Sequence, residues 1–178
     1  RGGRAVVSDA SLVVHKGEAV AIVGSSGSGK TTFGTQFVAE GLRAGESCVV
    51  AVFEEYPAAY LARAKSNAVD FLAMIVATRL QVIYLRPLDL SVDEMLAEIV
   101  CAVKKVGATR VVIDSLSGFE LALAPTFRQD FRESLYRLAG ALTATGITIL
   151  LTAEVVDAFP EVRFTHDRVS FVTDDIIA

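Results

Sequence analysis

Eight residues, Gly24-Ser25-Ser26-Gly27-Ser28-Gly29-Lys30-Thr31, constrain this chain more than any others. They fit the pattern G-x-x-x-x-G-K-[ST] at every position. An apolar run from Ala19 to Val23 precedes them. A helical pattern from about Lys30 to Arg43 follows, closed by Gly45. Strand, glycine-rich curl and helix in that order belong to an α/β architecture. The glycines let the backbone curl so that successive N–H groups point inward, which makes a cradle for an anion. The helix adds its positive N-terminal end. An extended polyphosphate fits such a cradle, which points to a nucleoside triphosphate, ATP first among them. In this pattern Lys30 reaches the β- and γ-phosphates, and the Thr31 hydroxyl ligates magnesium. Thr32 completes the nucleotide-binding stretch from Gly24.

Apolar runs and helical patterns alternate along the remaining chain, so a mostly parallel central sheet flanked by helices on both faces is expected. Residues 5–7 and 11–14 read as short edge strands, and His15-Lys16-Gly17-Glu18 as a turn. Cys48 to Phe53 reads as a strand, and Pro57 opens a helix to about Ala68. Val82 to Leu85 is a short strand. Ser91-Val92-Asp93-Glu94 has the form of a capping box opening a helix to about Val106. Arg110 to Ile113 is a strand ending at Asp114. Thr126 caps a long helix to Ala144, with Phe127, Phe131, Leu135, Leu138 and Leu142 on one face. Ile147 to Leu151 is a strand, and Arg168 to Val172 a last one.

The residues after these strands carry the chemistry. Gly24, Glu54, Asp114 and Thr152 all fall at C-terminal strand ends. In an open parallel sheet those ends share one rim, where ligands bind. Asp114 ends the run Arg110-Val111-Val112-Ile113-Asp114. A carboxylate there, after a phosphate loop, is placed to hold the magnesium ion. Glu54 and Glu55 follow Val49-Val50-Ala51-Val52-Phe53. Hydrolysis needs a carboxylate near the γ-phosphate to orient and deprotonate water, and either can serve. Lys30 joins them as a catalytic candidate. Thr152 and Glu154 are candidate γ-phosphate sensors.

Composition narrows the class. Of the 178 residues 52% are hydrophobic, yet the richest stretch, Phe71 to Tyr84, is broken by Thr78, Arg79 and Gln81. A membrane span needs about 18 unbroken apolar residues. The surplus fits a parallel sheet buried on both faces, with a share for subunit interfaces. The net charge of −4 argues against a dedicated nucleic-acid binder. Cys48 and Cys101 sit in apolar contexts and are expected in the core. Neither shows metal-ligand or disulfide-framework spacing. His15 and His166 are read as surface or turn residues. A cytoplasmic location is the default expectation. Arg1-Gly2-Gly3 and Asp174-Asp175-Ile176-Ile177-Ala178 suggest one domain, residues 1–178, cut from a longer chain, with another strand entered at the end.

The constellation resembles the KaiC-like ATPases of the RecA superfamily. The resemblance rests on the phosphate loop through Thr32, on Phe53-Glu54-Glu55, and on Arg110-Val111-Val112-Ile113-Asp114-Ser115-Leu116-Ser117. It continues in Gly146-Ile147-Thr148-Ile149-Leu150-Leu151-Thr152-Ala153-Glu154 and in Ser170-Phe171-Val172-Thr173-Asp174-Asp175-Ile176-Ile177. It implies a RecA-like core that assembles as a homo-oligomeric ring, commonly a hexamer, with ATP between subunits. It also implies that Glu54 and Glu55 are the catalytic glutamates, and that slow turnover is tied to conformational signalling and signalling partners. Some relatives phosphorylate themselves on an adjacent Ser-Thr pair. Ser170 is the candidate acceptor here, followed by Phe171, which cannot accept phosphate.

Rival readings fare worse. A transporter-type ATPase would place a Leu-Ser-Gly-Gly-Gln signature before the metal-binding strand and a Glu directly after its Asp. Here Leu116-Ser117-Gly118 follows Asp114, and Ser115 is next to it. DNA recombination would need cations beyond the strand end, and Ser115 to Pro125 has none. An assembly switch, in which nucleotide acts as glue and hydrolysis is incidental, stays open beside the ATPase and the autokinase.

Overall fold

The computed structural model describes residues 13–65, 69–86, 90–116, 128–154 and 175–177. Among these, six strands form one parallel sheet: β1 Ala19–Gly24, β2 Cys48–Val52, β3 Leu80–Tyr84, β4 Arg110–Asp114, β5 Thr148–Glu154 and β6 Asp175–Ile177. Their spatial order is β3-β2-β4-β5-β1-β6. Five helices accompany them: α1 Lys30–Arg43, α2 Pro57–Ala64, α3 Phe71–Val76, α4 Val92–Val106 and α5 Arg128–Thr143. This is the α/β, RecA-like arrangement of a parallel sheet with helices around it.

Strand alternation makes two cores. Val49, Ala51, Val111, Ile113, Ile149 and Leu151 face one side, where Met95 and Ile99 of α4 and Leu135, Leu138 and Leu142 of α5 cover them. Val20, Val50, Val112 and Leu150 face the other, under Val38 and Leu42 of α1, Tyr60 of α2 and Phe71 of α3. Every residue of β2 is buried, which is why that segment reads as an unbroken apolar run.

Local signals set most boundaries. The His15–Glu18 turn closes through the Glu18 amide to the His15 carbonyl at 3.2 Å, with Gly17 at φ 85°. Gly45, at φ 87°, ends α1 by donating to the Leu42 carbonyl. The capping box before α4 is present in full: Glu94 N–H donates to Ser91 Oγ at 3.3 Å, and Ser91 N–H donates to Glu94 Oε2 at 2.7 Å. Gly107 closes that helix in the left-handed region at φ 61°.

Several expectations need correction. Cys101 is exposed, because on α4 it falls opposite the stripe of Met95, Ile99, Ala102 and Val103. Cys48 is buried as expected, and desolvation pushes its thiol up to about 12. Val13 and Val14 form no strand. Helix α2 ends at Ala64 rather than near Ala68, and residues 66–68 lie outside the described set. Helix α3 was unforeseen. Its signal is Asp70, whose Oδ1 accepts from the amides of Leu72 and Ala73 at 3.0 and 3.2 Å. Residues 5–7, Thr126, Phe127, His166 and the expected strand at 168–172 also lie outside the described residues. The segment read as a turn entering another strand is itself strand over Asp175–Ile177, β6, paired parallel to β1. No helix among the described residues is long and apolar enough to cross a membrane.

Candidate functional site

The described helices that next follow β1 and β4 lie on opposite faces of the sheet, α1 over one core and α5 over the other. A crevice opens there, outside the strand tips. Register aligns those tips: Gly24 of β1 lies abreast of Glu154 of β5, and Asp114 of β4 abreast of Val52 of β2. A cavity of about 430 Å³ fills this crevice.

One wall is the glycine-rich loop. Gly27 and Gly29 adopt φ 78° and 97°, a region closed to most side chains. A Cβ at Gly24 would stand 2.7 Å from Ser28 Oγ, so a larger residue there would make the Ser28 hydroxyl rotate away. The Ser28 amide donates to the Ser25 carbonyl at 3.2 Å and tightens the curl. Lys30 is buried, only 8% exposed. Its Nζ donates to the carbonyls of Gly24 and Ser25, both at 2.8 Å. The ammonium is thereby anchored over the loop, at the start of α1. Ser26, Gly27, Gly29, Thr31 and Thr32 also face the cavity.

The opposite wall is acidic. Glu54 and Glu55 leave the end of β2, joined to β4 by the Phe53 amide on the Asp114 carbonyl at 3.3 Å. Their environments differ. Glu54 is exposed to the cavity, and its Oε1 accepts from Ser115 Oγ at 3.0 Å. Glu55 is half-buried and paired with Arg63 of α2. Burial raises the Glu55 carboxyl above the usual carboxylate range; Arg63 opposes this, and the charges of Asp114 and Glu54 add to it. Asp114 accepts from Thr152 Oγ1 at 2.5 Å.

The residues expected at the site are therefore brought together, with four exceptions among those described. Gly24, Ser25 and Ser28 build the loop from behind rather than lining the cavity. Thr152 does not reach the rim: it is fully buried and bonds to Asp114 instead. Glu154 does face the cavity. Ser170 lies outside the described residues. Arg63 and Ser115 line the cavity without having been foreseen. Ser115 directly follows the strand-end aspartate, a usable hint. Arg63 has no motif; only the chain reversal after Pro57 brings it near.

The donor set fits a nucleotide with magnesium. A hydroxyl (Thr31) and a carboxylate (Asp114) are hard oxygen ligands on one cavity, and magnesium takes few protein ligands, completing its shell with phosphate and water. No group of three or more His, Cys, Asp or Glu suited to a metal occurs among the described residues.

Fold and site together define a nucleotide-binding protein of the phosphate-loop class. A family model described as "ATPase: KaiC" matches residues 13–178. The chain belongs to the KaiC ATPase family. It is 30% identical over 170 residues to the circadian clock protein KaiC3 of Synechocystis sp. (strain ATCC 27184 / PCC 6803 / Kazusa), covering 90% of this chain and 33% of that protein. It is 30% identical over 173 residues to the circadian clock oscillator protein KaiC of Thermostichus vulcanus, covering 91% and 32%. The corresponding protein of Parasynechococcus marenigrum (strain WH8102) is 28% identical over 173 residues, covering 90% and 33%. The chain thus spans about a third of the length of the curated relatives it matches.

Proposed function

We propose that this chain binds Mg-ATP in the cavity between the phosphate loop and the β2 tip and hydrolyses it to ADP and phosphate. The observation that carries this is the meeting of Lys30, Thr31, Asp114 and Glu54 around one cavity of about 430 Å³. In this reading the loop amides from Gly24 to Thr32 cradle the phosphates, and Lys30 binds the β- and γ-phosphate oxygens. Thr31 and Asp114 hold magnesium, which, when bound, neutralises charge developing on the phosphate oxygens.

Glu54 is the better water-orienting base. Its carboxylate faces the cavity with one hydroxyl donor, from Ser115, while Glu55 is engaged by Arg63. A water held by Glu54 attacks the γ-phosphorus. The bond from that phosphorus to the β–γ bridging oxygen breaks, and the water proton passes to Glu54. Glu55 supports the site through the charge it shares with Arg63. Thr152 orients Asp114 from behind, and Glu154 at the β5 tip lines the cavity.

The relatives' names supply the wider reading. We propose a nucleotide-driven conformational and signalling module of the circadian-clock type, working in a homo-oligomeric ring, hexameric in the full-length protein. Its partners would be ATP and signalling proteins, not DNA. Calorimetry with Mg-ATP tests the first step. Wild type should bind, and Lys30→Ala should weaken binding at least tenfold, a charged contact being worth about 1.5–3 kcal/mol. Glu54→Gln should retain binding and lower kcat by roughly 10²–10⁴. Unchanged turnover in the Glu54→Gln/Glu55→Gln double variant would sink the assignment.

A further inference from the structure

Charge around the cavity is unbalanced. Among the described residues that line it, Glu54, Glu55, Asp114 and Glu154 are acidic, and only Lys30 and Arg63 are basic. Lys30 lies within the phosphate loop and is anchored to the carbonyls of Gly24 and Ser25. Arg63 reaches the same space from the opposite wall. It sits in the last turn of α2, whose Tyr60 and Ala64 are buried in the core beneath. A long side chain on a helix points back over the preceding turn toward the N-terminus. That direction carries the guanidinium over the helix start to Glu55, with which it pairs. The side chain is 56% exposed.

We infer that Arg63 is a second phosphate-binding cation of this cavity, supplied by the same chain, and that it reads the terminal phosphate and so separates ATP from ADP. The inference rests on the ATPase reading above, because that reading places the γ-phosphate beside the glutamates. A terminal phosphate there meets three carboxylates, Glu54, Glu55 and Asp114, at one end of the cavity. Coulomb repulsion across a few ångströms is substantial in a partly desolvated site. A guanidinium between Glu55 and the phosphate relieves it, and its planar fork of N–H donors suits both partners. The α- and β-phosphates belong to the loop on the far wall, beyond the reach of this contact. ADP therefore gains little from Arg63. Glu55 competes with the phosphate for the same cation, which tunes the preference.

The test measures affinity, not turnover. Calorimetric titration of the full chain with Mg²⁺ and a β,γ-imido analogue of ATP, and separately with Mg-ADP, yields a ratio of dissociation constants. Arg63→Ala should weaken the triphosphate analogue about tenfold and ADP less than twofold. Arg63→Lys, with charge but no fork, should recover part of the loss. Glu55→Gln should tighten the analogue several-fold by releasing the guanidinium. Arg63→Gln serves as the second neutral variant, and melting curves confirm folding for each. If wild type binds neither nucleotide, the ATPase reading fails. If wild type favours the triphosphate and both neutral variants keep the wild-type ratio, the role of Arg63 is overturned and the ATPase reading stands.

Discussion

Asp114 sits at the tip of an apolar strand, and its neighbour Thr152 lies 38 residues on in the chain. The Thr152 hydroxyl is wholly buried and has the Asp114 carboxylate as its acceptor. Partners one step behind a metal ligand orient it, and losing one lowers metal affinity by roughly 10–100-fold. Thr152→Val keeps the shape and removes the donor. We expect the variant to fold and to need about tenfold more magnesium for half-maximal ATP turnover, read from a magnesium titration. A second residue-scale case lies at the opposite rim. Arg110 donates to both oxygens of Glu46, at 2.6 and 3.2 Å, and stacks over Phe37 at 4.6 Å. The Arg110 hydrogen bond holds the Glu46 carboxyl below its ordinary range. A lowered folded pKa means stability that is present above the unfolded value, near 4.3, and lost as pH falls through the folded one. Glu46 is about a third exposed, so solvent screening limits the effect to about 1 kcal/mol or less. Glu46→Gln should melt below wild type at pH 7, and the gap should narrow as pH falls below the ordinary carboxylate range.

At the scale of elements, caps decide where helices begin. The Ser91–Glu94 box satisfies two amides at the start of α4, the helix that supplies Met95 and Ile99 to one core. Ser91→Ala should cost about 1 kcal/mol. That corresponds to a fall in melting temperature of about 2–4 °C for a domain of this size. Among the described residues α4 supplies none to the cavity lining, so ATP affinity should be unchanged, which separates this effect from loss of function. Helix α3 shows the opposite case. Only six residues long and capped by Asp70, it leaves Leu72 and Val76 exposed at 54% and 85%. Its periodicity is too short to distinguish from the apolar run that continues into β3.

At the scale of the whole molecule, the sheet is covered on both faces, yet apolar side chains remain outside. Tyr56 and Tyr136 are 64% and 58% exposed, beside the two on α3. If nucleotide drives ring assembly, Mg-ATP should shift the chain to a larger species in sedimentation, and Lys30→Ala should stay small. A monomer of constant size with and without nucleotide would rule out assembly by this chain alone.

The reach of the sequence can be seen in particular residues. The loop from Gly24 to Thr31, the capping box at Ser91 and the strand ending at Asp114 were legible because each is a local demand. A positive φ requires glycine, an orphan amide requires a nearby oxygen, and a doubly buried strand requires an unbroken apolar run. Contiguous residues satisfy these demands, so they leave a contiguous trace. The pairing of Glu55 with Arg63, of Glu54 with Ser115 and of Thr152 with Asp114 leaves none. The Glu54–Ser115 and Thr152–Asp114 contacts exist because the order β3-β2-β4-β5-β1-β6 packs strand tips from distant parts of the chain into one crevice, and the Glu55–Arg63 pair because α2 carries Arg63 back toward the end of β2. Residue types alone proposed the chemistry of this protein; only the tertiary structure decided which partner each carboxylate of the cavity takes, Ser115 for Glu54 and Arg63 for Glu55, because those partners are set by packing and not by sequence neighbours.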